Sequence, residues 1–281
     1  MVSSHHHLYL VDNSLIKFDK CWERYAFHLL ILTNLIHAQM TNLLFPTDFS
    51  NYTSAALDWV RLFARKTGAT VTLLHMYQPM LPDTTLPTVG DPGLGVMASM
   101  EIEDISRKRL NELATELQAE GLSVTAEWRI GSVDDGILEV AREYSADLII
   151  MGRSDLSTFF DRLAGSAVTD VADEAVCPVL IVPTTPEGQS IRPAQVHTIA
   201  YAMQAQTTQS MVTAQTELLV DAFNAKLEVL TEDKLEHAHA DLIVMQLSPK
   251  AGFLDNLFHP NHTTALIKKS DVPVLVYHEK K

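Results

Sequence analysis

An internal repeat constrains the fold of this chain more than any other feature of its sequence. The segment Asp147–Met151 (DLIIM) returns as Asp241–Met245 (DLIVM), and Cys177–Ile181 (CPVLI) returns as Val272–Val276 (VPVLV). The two segments are almost equally spaced in both copies, which indicates two units of one architecture. Each apolar run is short and uninterrupted, as expected for a strand that is covered on both faces.

From Met40 onward, short apolar runs alternate with amphipathic stretches. This alternation predicts strand–helix units around a parallel sheet, and therefore an α/β fold with two tandem open Rossmann-like sheets. A loop rich in Pro and Gly is predicted from Met76 to about Ala98, and a loop of that length is usually functional. The strands predicted for the first copy are Leu43–Phe45, Thr70–His75, Val124–Arg129, Asp147–Met151 and Val179–Val182.

The pattern predicts four segments: an extension over 1–39, a first domain over 40–183, a linker over 184–193 and a second domain over 194–281. The second domain is truncated. The central strands of the two copies lie about 94 residues apart, whereas the opening strand at His197–Met203 follows Leu43 by about 155. About 60 residues are therefore missing, corresponding to the long loop, a helix and a strand.

The first 39 residues differ in character from the rest of the chain. They contain three adjacent histidines and an apolar run, Phe27–Gln39, that is interrupted by polar residues. We interpret Met40 as the functional start and the segment before it as a dispensable extension. A signal peptide and an ordered extra helix remain alternatives, although the charges before the apolar run cancel.

Charge and cysteine content exclude several classes of function. The chain has 21 Lys and Arg against 35 Asp and Glu, a formal net charge of −14, and it shows no basic patch for nucleic acid or an anionic membrane. Two cysteines, Cys21 and Cys177, form neither a disulfide framework nor a zinc ligand set, so a reducing cytoplasm is expected. No apolar stretch is long enough to predict a transmembrane helix.

Two polar clusters directly follow predicted strands of the first copy. Parallel strands bring their carboxyl ends to one edge of a sheet, and ligands bind there in the crevice where the strand order reverses. Glycines at such junctions let backbone N–H groups approach a phosphate, and a helix N-terminus adds a favourable dipole. The candidate ligand-binding residues are Pro46, Thr47, Asp48, Met151, Gly152, Arg153, Ser154, Gly165 and Ser166.

These motifs resemble those of the universal stress protein family in a tandem arrangement. The resemblance rests on PTDFS at 46–50, on DLIIMG at 147–152, on Gly165-Ser166 and on PVLIVP at 178–183, and it extends from Met40 to the end, partially in the second copy. It implies a fold of the adenine nucleotide α-hydrolase type and binding of ATP or AMP in the first domain. It also implies a regulatory stress-response protein rather than an enzyme.

One position departs from the pattern of the nucleotide-binding members, which carry Gly-x-x-Gly, nine residues, then Gly-Ser or Gly-Thr. Here Asp155 stands at the middle glycine, while Gly152 and Gly165-Ser166 keep their spacing. A carboxylate at that place would repel phosphates. The alternatives therefore remain open: a degenerate site, another small ligand, or a module that serves structure or protein interaction. For Asp48 a helix N-cap, and for the two glycines tight turns, are the structural alternatives.

The second copy is not expected to bind nucleotide in the same way. Ala202 or Met203 stands where Asp48 is expected, and Gln246 replaces Gly152. The resemblance implies that the last strand of one domain, Val179–Val182, pairs with its counterpart. Val274–Val276 would then make this pairing within one chain, giving a pseudo-dimer and covering two sheet edges. Further pairing into a homodimer stays open.

Other motifs do not predict a site. Gly93–Ala98 matches G-x-G-x-x-A, but no strand precedes it. Cys177 is expected to be buried rather than reactive. Asp134-Asp135 are expected to cap a helix, and four histidines, His237, His239, His259 and His262, are expected at the surface. No P-loop, nucleophile elbow or HExxH pattern occurs, so a phosphate-transferring enzyme is the weakest of the functions considered.

Overall fold

We describe a computed structural model over residues 9–11, 14–16, 40–78, 92–153, 167–185, 187–203, 214–231, 239–247 and 271–278. The chain comprises two compact units, Met1–Gln39 and Met40–Lys281. In the first, β1 (Tyr9–Val11) pairs antiparallel with β2 (Ser14–Ile16). Across the described ranges, no helix combines the length and the apolar character needed to cross a membrane.

The second unit begins with alternating strands and helices, as the sequence predicts. In chain order these elements are β3 (Asn42–Pro46), α1 (Asn51–Thr67), β4 (Thr70–Tyr77), α2 (Pro92–Ala119), β5 (Val124–Ile130), α3 (Val133–Glu143), β6 (Leu148–Arg153), α4 (Ala167–Glu174) and β7 (Val179–Pro183). The later elements are β8 (Thr198–Met203), α5 (Ala214–Phe223), β9 (Lys226–Thr231), β10 (Leu242–Leu247) and β11 (Val274–His278).

Both halves contribute to one nine-stranded sheet, in the order β5-β4-β3-β6-β7-β11-β10-β8-β9. Every neighbouring pair is parallel except β7 and β11, which run antiparallel with Leu180 opposite Leu275. The predicted α/β fold class is therefore confirmed, with the two predicted sheets joined into one. In the first half the strand order reverses between β3 and β6.

The sheet is covered on both faces, and its strands alternate between two apolar layers because successive side chains point to opposite sides. Leu43 and Phe45 of β3 belong to the layer that contains α1, α2 and α5, whereas Leu44 belongs to the layer that contains α3 and α4. The large side chains Trp59 and Phe63 of α1 are fully buried in the first layer. These layers fix the strands and therefore position the loops at their carboxyl ends.

The amino edge of the sheet repeats one set of hydrogen bonds in both halves. Asp147 precedes β6, and its Oδ2 accepts hydrogen bonds from the backbone N–H groups of Thr41 (2.7 Å) and Asn42 (3.0 Å) at the start of β3. Asp241 precedes β10, and its Oδ2 accepts from the N–H groups of His197 (2.8 Å) and Thr198 (3.0 Å) at the start of β8. Each carboxylate thus ties the first strand of its half to the central strand.

The two halves differ in what joins their second strand to their central strand. β4 ends at Tyr77 and β6 begins only at Leu148, whereas β9 ends at Thr231 and β10 begins at Leu242. The connection in the first half is therefore about 60 residues longer, which agrees with the spacing in the sequence, and it contains α2, β5 and α3. In consequence β5 forms one edge of the sheet and β9 the other.

The predicted long loop is shorter than expected. β4 continues to Tyr77 and α2 begins at Pro92, so the segment Gly93–Ala98 is helical rather than part of a loop. Proline is favoured at the first position of a helix because its missing N–H has no intrahelical partner there. Residues 79–91 lie outside the described ranges. α1 ends before Gly68, which has φ 73° and donates its N–H to the Ala64 carbonyl.

Candidate functional site

The candidate site lies at the carboxyl ends of β3 and β6, where the strand order reverses. Leu43 of β3 lies opposite Leu148 of β6, and Leu44 lies opposite Ile149. Continuing this parallel register brings the end of β3 level with the end of β6. The structure thus places together six of the predicted residues, Pro46, Thr47, Asp48, Met151, Gly152 and Arg153. The remaining three, Ser154, Gly165 and Ser166, and also Asp155, lie outside the described residues.

Thr47 anchors the loop that follows β3. Its N–H donates to the Leu74 carbonyl of β4 at 2.8 Å, and its own carbonyl lies 2.8 Å from Nδ1 of His75. Its hydroxyl accepts the Phe49 N–H at 3.1 Å and lies 3.4 Å from the Thr53 hydroxyl. Thr47 is buried. Because Thr47 makes these hydrogen bonds within the protein, its role is to shape the loop, and the neighbouring residues are the ones available to a ligand.

Asp48 is exposed at this edge of the sheet. Its Oδ1 accepts the Ser50 N–H at 2.9 Å, which closes a short turn before the helix. α1 begins at Asn51 with Ser50 at the N-cap position, so the alternative role of Asp48 as helix N-cap is wrong. The Asp48 carboxylate remains accessible to a ligand that donates hydrogen bonds.

Sequence reasoning missed the aromatic stack behind Asp48. Phe49 has φ 60°, a left-handed conformation that costs a bulky residue free energy. Its ring lies against His75, with centroids 4.6 Å apart, and the Arg109 guanidinium lies 5.0 Å from the ring centroid on α2. Because the Thr47 carbonyl can only accept, His75 Nδ1 must be the donor of their hydrogen bond. The position of His75 near the end of the neighbouring strand was the available signal.

On β6 the predicted residues belong to the strand itself. Met151 pairs with Ile181 of β7, Gly152 with Val182, and Arg153 with Pro183. Gly152 is therefore extended, and the alternative that it serves only a tight turn is wrong. In this position it presents backbone without a side chain at the edge of the sheet, where a ligand can approach closely.

Two methionines lie near the carboxyl ends of strands in the first half. Met76 lies near the carboxyl end of β4, and Met151 is buried near the end of β6; both pack in the layer of α3 and α4. The Met76 side chain lies against Gly136 of α3, where an added Cβ would come 2.6 Å from its sulfur. Glycine at 136 therefore allows α3 to close over the methionine. Thioether side chains of this kind accommodate flat apolar groups.

A cavity of about 310 Å³ adjoins the loop on the side of α1 and α2. Phe49, whose ring contacts His75, is one of its lining residues. The buried Ser50 Oγ on its wall has no hydrogen-bond partner within the described part of the chain. Both apolar and polar side chains line the cavity. It is lined by Phe45, Thr47, Phe49, Ser50, Thr53, Ser54, Leu57, Arg109, Glu112, Leu113 and Glu116.

The corresponding edge of the second half is built from different side chains. The repeated hydrogen bonds align Asn42 with Thr198, so Ala202 and Met203 correspond to Pro46 and Thr47 rather than to Asp48. Gln246 is aligned with Gly152, as predicted. The Tyr201 hydroxyl lies 3.3 Å from Gln246 Oε1. A long polar side chain thus stands where the first half exposes backbone.

Of the other residues singled out in the sequence, Cys177 is buried as predicted. Burial, together with the nearby Asp147 carboxylate, raises the pKa of its thiol to about 12. His239 is exposed, whereas the other three histidines of that group lie outside the described residues. Among the residues that the structure describes, no group of three or more His, Cys, Asp and Glu could hold a metal ion.

Comparison with known proteins identifies the first half. The family model described as "Universal stress protein family" matches residues 40–183. A universal stress protein of Thermus aquaticus is 30% identical over 146 residues, which cover 50% of this chain and 96% of that protein. MJ0577 of Methanocaldococcus jannaschii, also a universal stress protein, is 28% identical over 151 residues, covering 50% and 93%.

A solved structure extends the likeness of fold beyond residue 183. The universal stress protein from Archaeoglobus fulgidus superposes with a TM-score of 0.59 at 16% identity. The match covers 86% of this chain and 98% of that one. At this identity the comparison establishes the fold alone.

Proposed function

This chain belongs to the universal stress protein family through residues 40–183, and we propose that its first half binds an adenine nucleotide, ATP or AMP, at the carboxyl ends of β3 and β6. The observation that carries the proposal is the reversal of strand order between these two strands, with the accessible Asp48 carboxylate at one end and Gly152 at the other. Crevices of this kind are where open α/β sheets bind ligands.

Each part of a nucleotide has a suitable group in the first half. The Asp48 carboxylate can accept hydrogen bonds from the adenine amino group or the ribose hydroxyls. Met76 and Met151 offer an apolar wall to the base. α4 begins at Ala167, directly after Gly165-Ser166 in the sequence, so its N-terminus supplies N–H groups and a dipole that favour phosphate.

We propose that the second half is a shortened, degenerate universal stress protein domain that acts as a structural partner. The repeated Asp147 and Asp241 contacts support a common origin of the two halves. The antiparallel pairing of β7 and β11 supports a pseudo-dimer within one chain. The protein would then act in the cytoplasm as a regulator of the stress response, binding nucleotide without turning it over.

The experiment that tests the proposal is a measurement of nucleotide content and affinity. The purified full chain is denatured, released adenine compounds are identified by chromatography, and stripped protein is titrated with ATP and AMP. We expect about one nucleotide per chain and a loss of affinity of at least about tenfold in Asp48→Ala. Asp221→Ala, which removes an exposed carboxylate from the second half, is the control and should bind like wild type.

Asp155 separates this proposal from the alternative of an interaction module that has lost nucleotide binding. Its carboxylate would repel phosphates, so Asp155→Gly should raise ATP affinity if the site works as proposed. If neither wild type nor Asp155→Gly binds ATP or AMP, the adenine nucleotide proposal is contradicted. The search would then turn to protein partners of the pseudo-dimer surface.

A further inference from the structure

The connection between the two halves is folded and not a free tether. We define the linker turn as Thr184, Thr185 and residues 187–190. Thr184 is bridged antiparallel to Ser190, and the Thr185 carbonyl accepts the Gly188 N–H at 2.8 Å. The Gln189 carbonyl accepts the Thr185 N–H at 3.0 Å. Thr184 is 3% exposed. The turn is therefore a defined structural element with its own hydrogen bonds.

The linker turn joins the end of β7 to the start of α1. It leaves β7 at Pro183, and Gly188 lies against Asn51, which is the first residue of α1 after β3. α1 packs on β6 and β7 as well as on β3, so its start is within reach of a short turn that follows β7.

Only glycine fits where the linker turn meets α1. Gly188 has φ 79° and is buried. A Cβ at this position would lie 2.5 Å from the carbonyl carbon of Asn51 and 2.8 Å from its oxygen. Those are backbone atoms of a helix start, which cannot move aside as a flexible side chain could. The backbone of the linker turn therefore rests directly on the residue that follows the loop 46–50.

The chain beyond the linker turn is held by the second half. Gln195 donates its side-chain N–H to Asp241 at 3.1 Å, and the His197 N–H donates to the same carboxylate. Val196 between them is 5% exposed. The connection is thus fixed at both ends, to α1 in the first half and to the start of β8 and β10 in the second.

We propose that the linker turn positions the ligand-binding loop 46–50. Gly188 is the positioning residue, because the linker turn contacts the start of α1 through it. Contacts with β4 and α2 hold the start of the loop and the strained Phe49, and Gly188 meets the loop at its other end, where α1 begins. Seating the turn on Asn51 fixes the end of the loop, so the direction of the Asp48 carboxylate depends on the connection to the second half. The ligand named for the test, ATP, rests on the proposed function.

The test compares two glycines of similar backbone conformation in the full chain. Gly188→Ala adds both the strain of a left-handed alanine and the collision with Asn51. Gly121→Ala, at φ 86° with no atom within 4 Å of the added Cβ, adds the strain alone. We expect ATP affinity to fall at least about tenfold in Gly188→Ala and less than about twofold in Gly121→Ala. Amide exchange over 46–51 should rise at least about tenfold in the first variant alone.

Amide exchange without nucleotide keeps this proposal separate from the proposed function. If wild type does not bind ATP, the proposed function fails, while the exchange of residues 46–51 still decides whether the linker turn holds the loop. Equal exchange and equal affinity in Gly188→Ala and Gly121→Ala would overturn the proposal. Should Gly188→Ala not fold, Thr185→Ala removes the hydroxyl that accepts the Gln189 N–H and should raise loop exchange to a smaller extent. Unchanged loop exchange in Thr185→Ala would then overturn it.

Discussion

The two halves of the sheet are alike at their amino edge and different at their carboxyl edge. At the amino edge, Asp147 and Asp241 accept the same pair of backbone N–H groups in each half. At the carboxyl edge the aligned residues differ: the first half has Gly152 where the second has Gln246. The two halves thus share the contacts at the start of their strands and differ in the residues at the end of their central strands.

The contrast separates what the fold needs from what a site needs. Each half must bring its first strand beside its central strand. A carboxylate at the start of the central strand does this because it accepts hydrogen bonds from two backbone N–H groups at the start of the first strand. Nothing in that requirement reaches the opposite edge. The residues at the carboxyl ends can therefore differ between the two halves. A residue repeated at both carboxyl ends would indicate a functional rather than a stabilising role.

The largest effect, on ATP affinity, is expected when the residue of the second half is placed at the aligned position of the first half. Gly152→Gln introduces the side chain of Gln246 at the end of β6, where it occupies the crevice. We expect ATP affinity to fall at least about hundredfold, or about 2.7 kcal/mol, in a calorimetric titration. The reverse change, Gln246→Gly, is the control and should leave affinity unchanged. Wild-type affinity in Gly152→Gln would show that the crevice is not the site.

At the amino edge the two halves should respond alike to loss of the carboxylate. Asp147→Ala and Asp241→Ala each leave two backbone N–H groups without their charged acceptor. We expect each variant to lose about 2 kcal/mol in the free energy of unfolding by urea, with Asp221→Ala unchanged as the exposed control. A much smaller loss in one half would contradict the equivalence of the two contacts.

The strands of the sheet were largely predictable, because short uninterrupted apolar runs mark strands that are covered on both faces. The runs at Asp147–Met151 and Val179–Val182 gave the strands that the structure has. The start of α2 was not predictable in this way. The glycines after Pro92 favour a loop locally, and the structure nevertheless has a helix that begins at Pro92.

The location of the candidate site was predictable from the sequence, but its side-chain and backbone contacts were not. Motif spacing brought Pro46–Asp48 and Met151–Arg153 to one edge, and the register agrees. The left-handed Phe49, its stack with His75, and the contact of Gly188 with Asn51 were not foreseen. The two contacts join segments far apart in the chain, and the backbone angle of Phe49 is a local exception; periodicity carries no information about either kind of feature.

A smaller effect is expected from acid at the amino edge of the second half. Partial burial raises the pKa of Asp241, but the His197 and Thr198 N–H groups and the Gln195 side chain lower it more, so its pKa lies below the ordinary value. Its stabilisation is therefore present at neutral pH and is lost as the pH falls through the folded-state pKa, below about 3.9. The free energy of unfolding of wild type should exceed that of Asp241→Asn by about 1 kcal/mol at pH 7.

That difference should narrow as the pH falls below the ordinary aspartate pKa, because protonation removes the charge from wild type as well. Urea titrations between pH 7 and pH 3 measure it, with Asp221→Asn as the exposed control. Curves for wild type and Asp241→Asn that stay parallel over this range would contradict the assignment of the acid sensitivity to Asp241.

The smallest effect is expected where the halves differ in the core. Cys177 and Val272 occupy matching places before the last strand of each half, and both are buried. Cys177→Val should therefore change the free energy of unfolding at pH 7 by less than about 1 kcal/mol. A larger loss would show that the two cores are not interchangeable at this point, even where their backbones repeat.

The dependence of stability on alkaline pH separates the effect of ionising the Cys177 thiol from the effect of its packing. Burial raises the pKa of Cys177 from 9.0 to about 12, so the unfolded chain loses its proton first and wild-type stability falls as the pH rises between these values. Cys177→Val removes that contribution and should lose stability less steeply over the same range. In a Cys21→Ser background the folded thiol should react with iodoacetamide far more slowly than the unfolded one at pH 8, because burial withholds both the thiolate and access to it. Equal rates would place Cys177 at the surface and contradict its equivalence to Val272.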